Sequence, residues 1–285
     1  MKFDTSLIDA RKEKMTTNGF WKNRTIEDFF SQAMQTHPDK TAVVTYKVDG
    51  ENSSPVRLSY RQLNERIDTI AKSLIRLGIQ RSDVVSFQIP NSWEFIALSL
   101  ACARIGAVAN PLMPIFRDRE LSYMLKFLES KILIVPSVFK NFNYEEMANG
   151  LLHKIDSLQH IVVVGGEGEN SFDKLLLTNT SSTPLVADPV EPDDILLLLF
   201  TSGTTGEPKA VMHTSNTLFA ALDGFVDALE LKDSEIILGA SPMAHLTGYG
   251  YLAMLPIMLN STTVAMDSWD PNIALQIINK EAVTF

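Results

Sequence analysis

Cysteine is nearly absent: the 285-residue chain contains one, Cys102. A lone thiol cannot close an internal disulfide, so the composition suits a reducing compartment. Cys102 lies within the apolar helical pattern "FIALSLACARIG" and reads as a buried, inert thiol. Basic residues are outnumbered, 25 Lys and Arg against 34 Asp and Glu, giving a net charge of -9. That balance argues against non-specific binding to nucleic acid or a membrane surface, both of which want a basic field. It does not exclude a small anionic ligand, which one local loop can hold inside an acidic protein. Long apolar runs are also missing. The longest candidate, "YGYLAMLPIML", falls well short of the ~20 residues a spanning helix needs, and "MKFDTSLIDARKEKM" has no signal-peptide core. A soluble, cytoplasmic protein without a membrane span is therefore expected. His153 and His160 have no cysteine or carboxylate at ligand spacing, so no metal site is expected either.

What is present is ordinary globular material, 45% hydrophobic and 21% charged, with helix and strand signals alternating along the chain. "TIEDFFSQAMQTHP" starts at Thr25 as an N-cap and stops before Pro38. Ser59-x-x-Gln62 is a capping box opening a helix that closes at Gly78. The runs "TAVVTY", "VVSFQI", "KILIVP", "HIVVVG", "EIILGA" and "TTVAM" read as strands, and "LTGYGYLAMLPIML" as one helix. Alternating βα units predict an α/β fold of layered, mainly parallel sheets covered by helices. Length suggests roughly two domains. Between Thr178 and Asp194 the composition shifts to "TNTSSTPLVADPVEPDD", whose acids read as a solvated linker. The expected division is residues 1–187 as a first α/β subdomain and 188–285 as part of a second. "EAVTF" opens another strand just before Phe285, which suggests that the chain is a piece of a longer protein.

The chemistry concentrates in "LLLLFTSGTTGEPKAVMHT", Leu196 to Thr214. An apolar strand, Ile195 to Phe200, runs into glycines and hydroxyls. Gly203 and Gly206 permit positive φ and let backbone N–H groups converge. Thr201, Ser202, Thr204 and Thr205 add hydroxyl donors, and Lys209 a mobile cation. Together they would cradle a polyphosphate. The same residue types also suit a plain surface turn. Neither a Walker A loop nor a G-x-G-x-x-G fingerprint is present.

The order "TSGTTGEPKAV" resembles the signature loop of the adenylate-forming enzymes: acyl-CoA synthetases, luciferase-type enzymes and the adenylation domains of peptide synthetases. It departs from the family pattern only at Ala210, where Gly is usual. "LSYRQLNERI", "SDVVSFQIPNSWEF", "CARIGAVANPLMP" and "SPMAHLTGY" extend the resemblance over nearly the whole chain, which is similar to the N-terminal domain of the acyl-CoA synthetase fold. The subgroup it most resembles is the acid–CoA ligases of short- to medium-chain or alicyclic carboxylates, the cyclohexanecarboxylate–CoA ligase group in particular.

The resemblance implies an AMP-forming ligase, an enzyme of fatty-acid metabolism. A carboxylate attacks the α-phosphate of ATP, pyrophosphate leaves, and the thiol of coenzyme A displaces AMP from the acyl-adenylate, with Mg²⁺ neutralising phosphate charge. Thr201, Ser202, Gly203, Thr204, Thr205, Gly206 and Lys209 would bind the nucleotide phosphates. His245 would stand as a catalytic residue beside the reacting carboxylate, although on its own residues it reads more often as a capping or core residue. Met243, Thr247 and Gly248 would line the acyl pocket, with Gly248 and Gly250 leaving room for a bulky acyl group. His213 in "VMHT" reads as structural, and "NSWEF" as a helix start with Trp93 and Phe95 packing. The family's Mg²⁺ glutamate, ribose aspartate, hinge and C-terminal lysine do not occur in this chain, so the chain alone is expected to be inactive. Two alternatives stay open: transfer of the acyl group to a carrier protein or other acceptor, and a non-catalytic nucleotide-binding module. A homodimer is also left open.

Overall fold

The apolar runs assemble into two sheets rather than one. The computed structural model describes residues 3–48, 54–178, 185, 187–201 and 207–285. Its strands are β1 (Thr41–Tyr46), β2 (Val56–Ser59), β3 (Val84–Phe87), β4 (Val108–Pro111), β5 (Ile132–Pro136), β6 (Val138–Phe139), β7 (Phe142–Asn143), β8 (His160–Val164), β9 (Ile195–Phe200), β10 (Ala210–Thr214), β11 (Ile236–Gly239) and β12 (Thr262–Met266). The larger sheet has the order β10-β9-β4-β3-β5-β8, the smaller β11-β12-β1-β2, and β6 and β7 form a separate hairpin. Within the larger sheet β9, β4, β3, β5 and β8 run parallel and β10 is antiparallel at the edge. In the smaller, only β2 is antiparallel. Strands β3, β4 and β5 are buried at every residue, as expected of parallel strands covered on both faces.

Between the sheets lies the helix Trp93–Ile105, which packs on β4 and on β1. It is apolar around nearly its whole circumference, as a helix with no solvent face must be. Ser92 caps its start, accepting from the Phe95 N–H at 3.4 Å, and Gly106 ends it at φ +69°, a conformation open to glycine. Phe95 is fully buried and meets the Phe87 ring edge-on at 4.9 Å. Its burial contributes about 1.5–3 kcal/mol. Helix Tyr60–Arg76 packs alongside. Its capping box is formed, with Ser59 Oγ accepting from the Gln62 N–H at 3.2 Å and Gln62 Oε1 accepting from the Ser59 N–H at 2.9 Å. Thr25 and Asp28 cap helix Ile26–Thr36 in the same way. Among the described residues, no helix is long and apolar enough to cross a membrane.

The sheets cut across the sequence division, and two local expectations change. The 187/188 division does not separate the sheets, because β9 and β10 join the larger sheet whereas β1 and β2 join β11 and β12 in the smaller. Parallel pairing over long sequence distances decides membership, and local composition does not report it. The acids of "DPVEPDD" are not all free in solvent. Asp193 accepts from Lys12 at 2.6 Å and from Asn216 Nδ2 at 2.7 Å, and Asp194 pairs with Arg81.

The stretch "LTGYGYLAMLPIML" is not one regular helix. A short turn of helix, Leu246–Gly248, passes into a π-helical segment, Tyr249–Met254, before Leu255–Leu259. Pro256 has no N–H for the carbonyl of Leu252, four residues earlier. The hydroxyl of Thr263 on β12 donates to that carbonyl instead, at 3.1 Å.

Candidate active site at the strand carboxyl ends

Parallel strands deliver their carboxyl ends to one edge of a sheet, and in open α/β sheets that edge is where ligands bind. Here the loops leaving β1, β3, β5, β11 and β12 surround two adjoining cavities of about 420 and 790 Å³. Ile89, Pro90, Asn91, Phe139, Lys140 and Asp267 line both, so the two form one trench. The smaller cavity is walled mainly by apolar side chains, including Met113, Ile115, Met266 and Trp269. Ile115 is 73% exposed and Trp269 50%, apolar surface kept open at its rim.

Charge is placed at the margins. Lys140 and Asn141 take left-handed φ values of +48° and +60°, forming the two-residue turn between β6 and β7 that sets Lys140 over both cavities. Arg117 is occupied locally: its guanidinium donates to the carbonyls of Pro114 at 2.6 Å and Phe116 at 2.8 Å, and stacks over Phe142 at 4.0 Å. Glu94, in the first turn of Trp93–Ile105, lines the larger cavity with Lys47. Burial raises its carboxyl above the usual range, and its own amide, Ser92 and Lys47 oppose that shift.

The segment "SPMAHLTGY" forms a compact knot against the smaller cavity. The His245 N–H donates to the Pro242 carbonyl at 3.0 Å. A Cβ on Gly248 would lie 2.0 Å from that same carbonyl oxygen. His245 Nδ1 accepts from the Thr247 N–H at 3.3 Å, which is the cap that the residue pattern offered as one of two readings. His245 and Thr247 are exposed, whereas Met243 and Gly248 are buried. None of the four lines either cavity; from this motif Pro242 and Ala244 do. Gly250 lines neither of these two cavities: Gly248 permits the approach to Pro242, and a Cβ on Gly250 would touch Leu222 at 3.4 Å.

The glycine-hydroxyl loop leaves β9 and returns as β10, with Phe200 paired to Ala210. Its base is closed by the Thr201 N–H donating to the Lys209 carbonyl at 2.9 Å, and both residues are exposed. Ser202, Gly203, Thr204, Thr205 and Gly206 lie outside the described residues. His213 sits on β10, where burial lowers its imidazole below the usual range. Among the described residues no group of three or more His, Cys, Asp or Glu could hold a metal ion.

Asn91 lines both cavities and Gln88, three residues earlier, lines neither; no motif in the sequence marks either. Gln88 and Asn91, on the exit of β3, are buried amides that hold backbone at Met113 and at Ser241. A signal short of a motif exists: in "VVSFQIPNSWEF" two amides flank Ile-Pro directly after a buried strand, where polar groups need partners.

Residues 30–285 match the family described as AMP-binding enzyme, and the chain belongs to that family. It is 28% identical over 288 residues to a medium-chain fatty-acid–CoA ligase of Escherichia coli (strain K12), covering 100% of this chain and 49% of that ligase. It is 29% identical to a 2,3-dihydroxybenzoate–AMP ligase of Bacillus subtilis (strain 168), covering 97% of this chain and 49% of the relative. The apo structure of MbtA from Mycobacterium smegmatis superposes with a TM-score of 0.82 at 25% identity, over 100% of this chain and 51% of that one. A long-chain-fatty-acid–CoA ligase from Archaeoglobus fulgidus gives 0.78 at 26% identity, over 93% and 51%. The chain spans about half the length of these relatives. The similarity matches it to the N-terminal domain of acyl-CoA ligases.

Proposed function

We infer that the protein carrying this chain is an AMP-forming acid–thiol ligase. It joins a carboxylate to ATP with release of pyrophosphate and passes the acyl group to coenzyme A. The observation that carries the reading is a loop of phosphate-binding composition, pinned at its base by Thr201 and Lys209 on the carboxyl end of β9, in a fold whose strand ends also border a mainly apolar cavity. Thr201, Ser202, Gly203, Thr204, Thr205, Gly206 and Lys209 hold the β- and γ-phosphates. His245, exposed at its helix start, serves the reacting carboxylate. Met243 and Gly248 act from beneath the cavity wall, and Thr247 from the exposed turn. ATP and coenzyme A are substrates here, and Mg²⁺ accompanies the nucleotide.

A second reading transfers the acyl group to a carrier protein. It draws on the similarity to a salicyl-AMP ligase / salicyl-S-ArCP synthetase of Mycobacterium tuberculosis, 29% identical over 268 residues.

The test is pyrophosphate release from ATP by the natural polypeptide carrying residues 1–285, with benzoate, cyclohexanecarboxylate and linear acids of several lengths. Acid-dependent release with free coenzyme A consumed supports the first reading. Release with coenzyme A left intact favours the carrier. No acid-dependent release overturns both. Residues 1–285 alone, about half the relatives' length, are expected to be inactive.

A further inference from the structure

Gln88 and Asn91 are separated by Ile89 and Pro90, which line the smaller cavity. Gln88 is fully buried and Asn91 is 8% exposed. Gln88 Nε2 donates to the carbonyls of Met113 and Phe116, both at 2.9 Å. Met113 lines that cavity. Asn91 Nδ2 donates to the Ser241 carbonyl at 3.1 Å, and its Oδ1 accepts from the Met243 N–H at 2.7 Å. Ser241 and Met243 flank Pro242, which lines the same cavity.

The two amides thus reach in different directions from one short strut. One grips the loop after β4, in the larger sheet. The other grips the loop after β11, in the smaller sheet. The strut itself is stiff: the Gln88 N–H extends the β3–β5 ladder by donating to the Ile134 carbonyl at 2.8 Å, and Pro90 has a fixed φ. Asn91 serves the Ser241 carbonyl and the Met243 N–H, while the two carbonyls that Gln88 holds also accept from the Phe116 N–H and from Arg117.

We propose that Gln88 and Asn91 are positioning residues that set the distance between the Met113 and Pro242 parts of the cavity lining, and so decide which carboxylic acids fit by the size of their apolar part. This rests on the acid–thiol ligase reading above. An apolar cavity discriminates weakly by contact alone, about 10- to 200-fold for one methylene. The spacing of the lining is therefore the property that must be held fixed. Neither amide touches the reacting atoms in this scheme; both act through the backbone they hold.

The test compares Asn91→Ala, Gln88→Ala and the conservative Asn91→Asp in the natural polypeptide. Asn91→Asp keeps the acceptor for Met243 and loses the donor for Ser241. With a ladder of acids, the alanine variants are expected to raise KM for the best acid about 10-fold or more and to shift preference toward bulkier acids. KM for ATP should stay within about twofold. Asn91→Asp should fall between wild type and Asn91→Ala, and it serves if the alanine variant does not fold. The Met243 amide should lose hydrogen-exchange protection in Asn91→Ala while amides of β3 and β5 keep theirs. The inference is overturned if KM for acid, ATP and coenzyme A move together, if coenzyme A alone responds, or if Met243 exchange is unchanged. The exchange measurement needs no turnover. If the wild-type protein activates no acid, the ligase reading fails and the clamp is still decided.

Discussion

Gly248 lies directly on the backbone of Pro242: a Cβ at position 248 would meet the Pro242 carbonyl oxygen at 2.0 Å and its carbon at 2.4 Å. Backbone cannot step aside as a flexible side chain can, so a single methyl group must displace the knot. Gly248→Ala is expected to destabilise the protein by about 2–4 kcal/mol. Urea unfolding measures this. A cost under about 0.5 kcal/mol would show that position 248 has space, as a pocket residue would.

Lys209 fastens the loop base through its carbonyl, not its ammonium. Lys209→Ala should therefore leave stability within about 0.5 kcal/mol while weakening nucleotide binding, which loses a charge-assisted phosphate contact. The expected rise in KM for ATP is about 10-fold or more, with a reduced salt dependence. Unchanged ATP affinity would remove Lys209 from the phosphate site.

Glu94 and His213 give opposite pH slopes. Glu94 is raised by burial in the folded state, so the native protein binds its proton more tightly than the unfolded chain. That contribution is complete below the ordinary glutamate range and is lost as pH rises through the raised value. His213 is lowered by burial. Its contribution is present above about pH 6.5 and is lost as pH falls toward the lower folded value. Glu94→Gln should flatten the loss of stability on the alkaline side, and His213→Gln the loss on the acid side. Urea midpoints across the pH range check both. A Glu94→Gln difference from wild type that does not change with pH would refute the first.

Thr263→Val should cost about 1–3 kcal/mol, since it strips the Leu252 carbonyl of its donor in a fully buried setting. In a Pro256→Ala background the cost should shrink, because residue 256 regains an N–H that can serve Leu252. Additive effects in the double variant would show that Pro256 does not create the need.

The parts legible in the sequence were those specified locally. Thr25 and Ser59 were identified as caps because a cap acts over three residues. The apolar runs of β3, β5 and β9 were identified because burial on both faces demands unbroken hydrophobicity. The mainly parallel α/β architecture followed from the alternation of such runs with helices.

What was hidden depends on remote partners. Val43 pairs with Thr263, and nothing near either residue announces it. Asn91 is ordinary until Ser241 and Met243 lie against it. Asp193 and Asp194 carry the composition of a free linker, yet Lys12, Asn216 and Arg81 bind them. Gly248 was assigned to substrate space because absence of a side chain suggests room. What the sequence does not show is that two backbones touch there, at Gly248 and Pro242.

The helix Trp93–Ile105 is both floor to one sheet and roof to the other, and Cys102 is fully buried within it. Burial also raises its thiol well above the ordinary range, which suppresses the reactive thiolate. As the chain's one sulfhydryl, it is a natural alarm for separation of the layers. An alkylating reagent would consume it at the rate at which the interior parts, with no engineered label required.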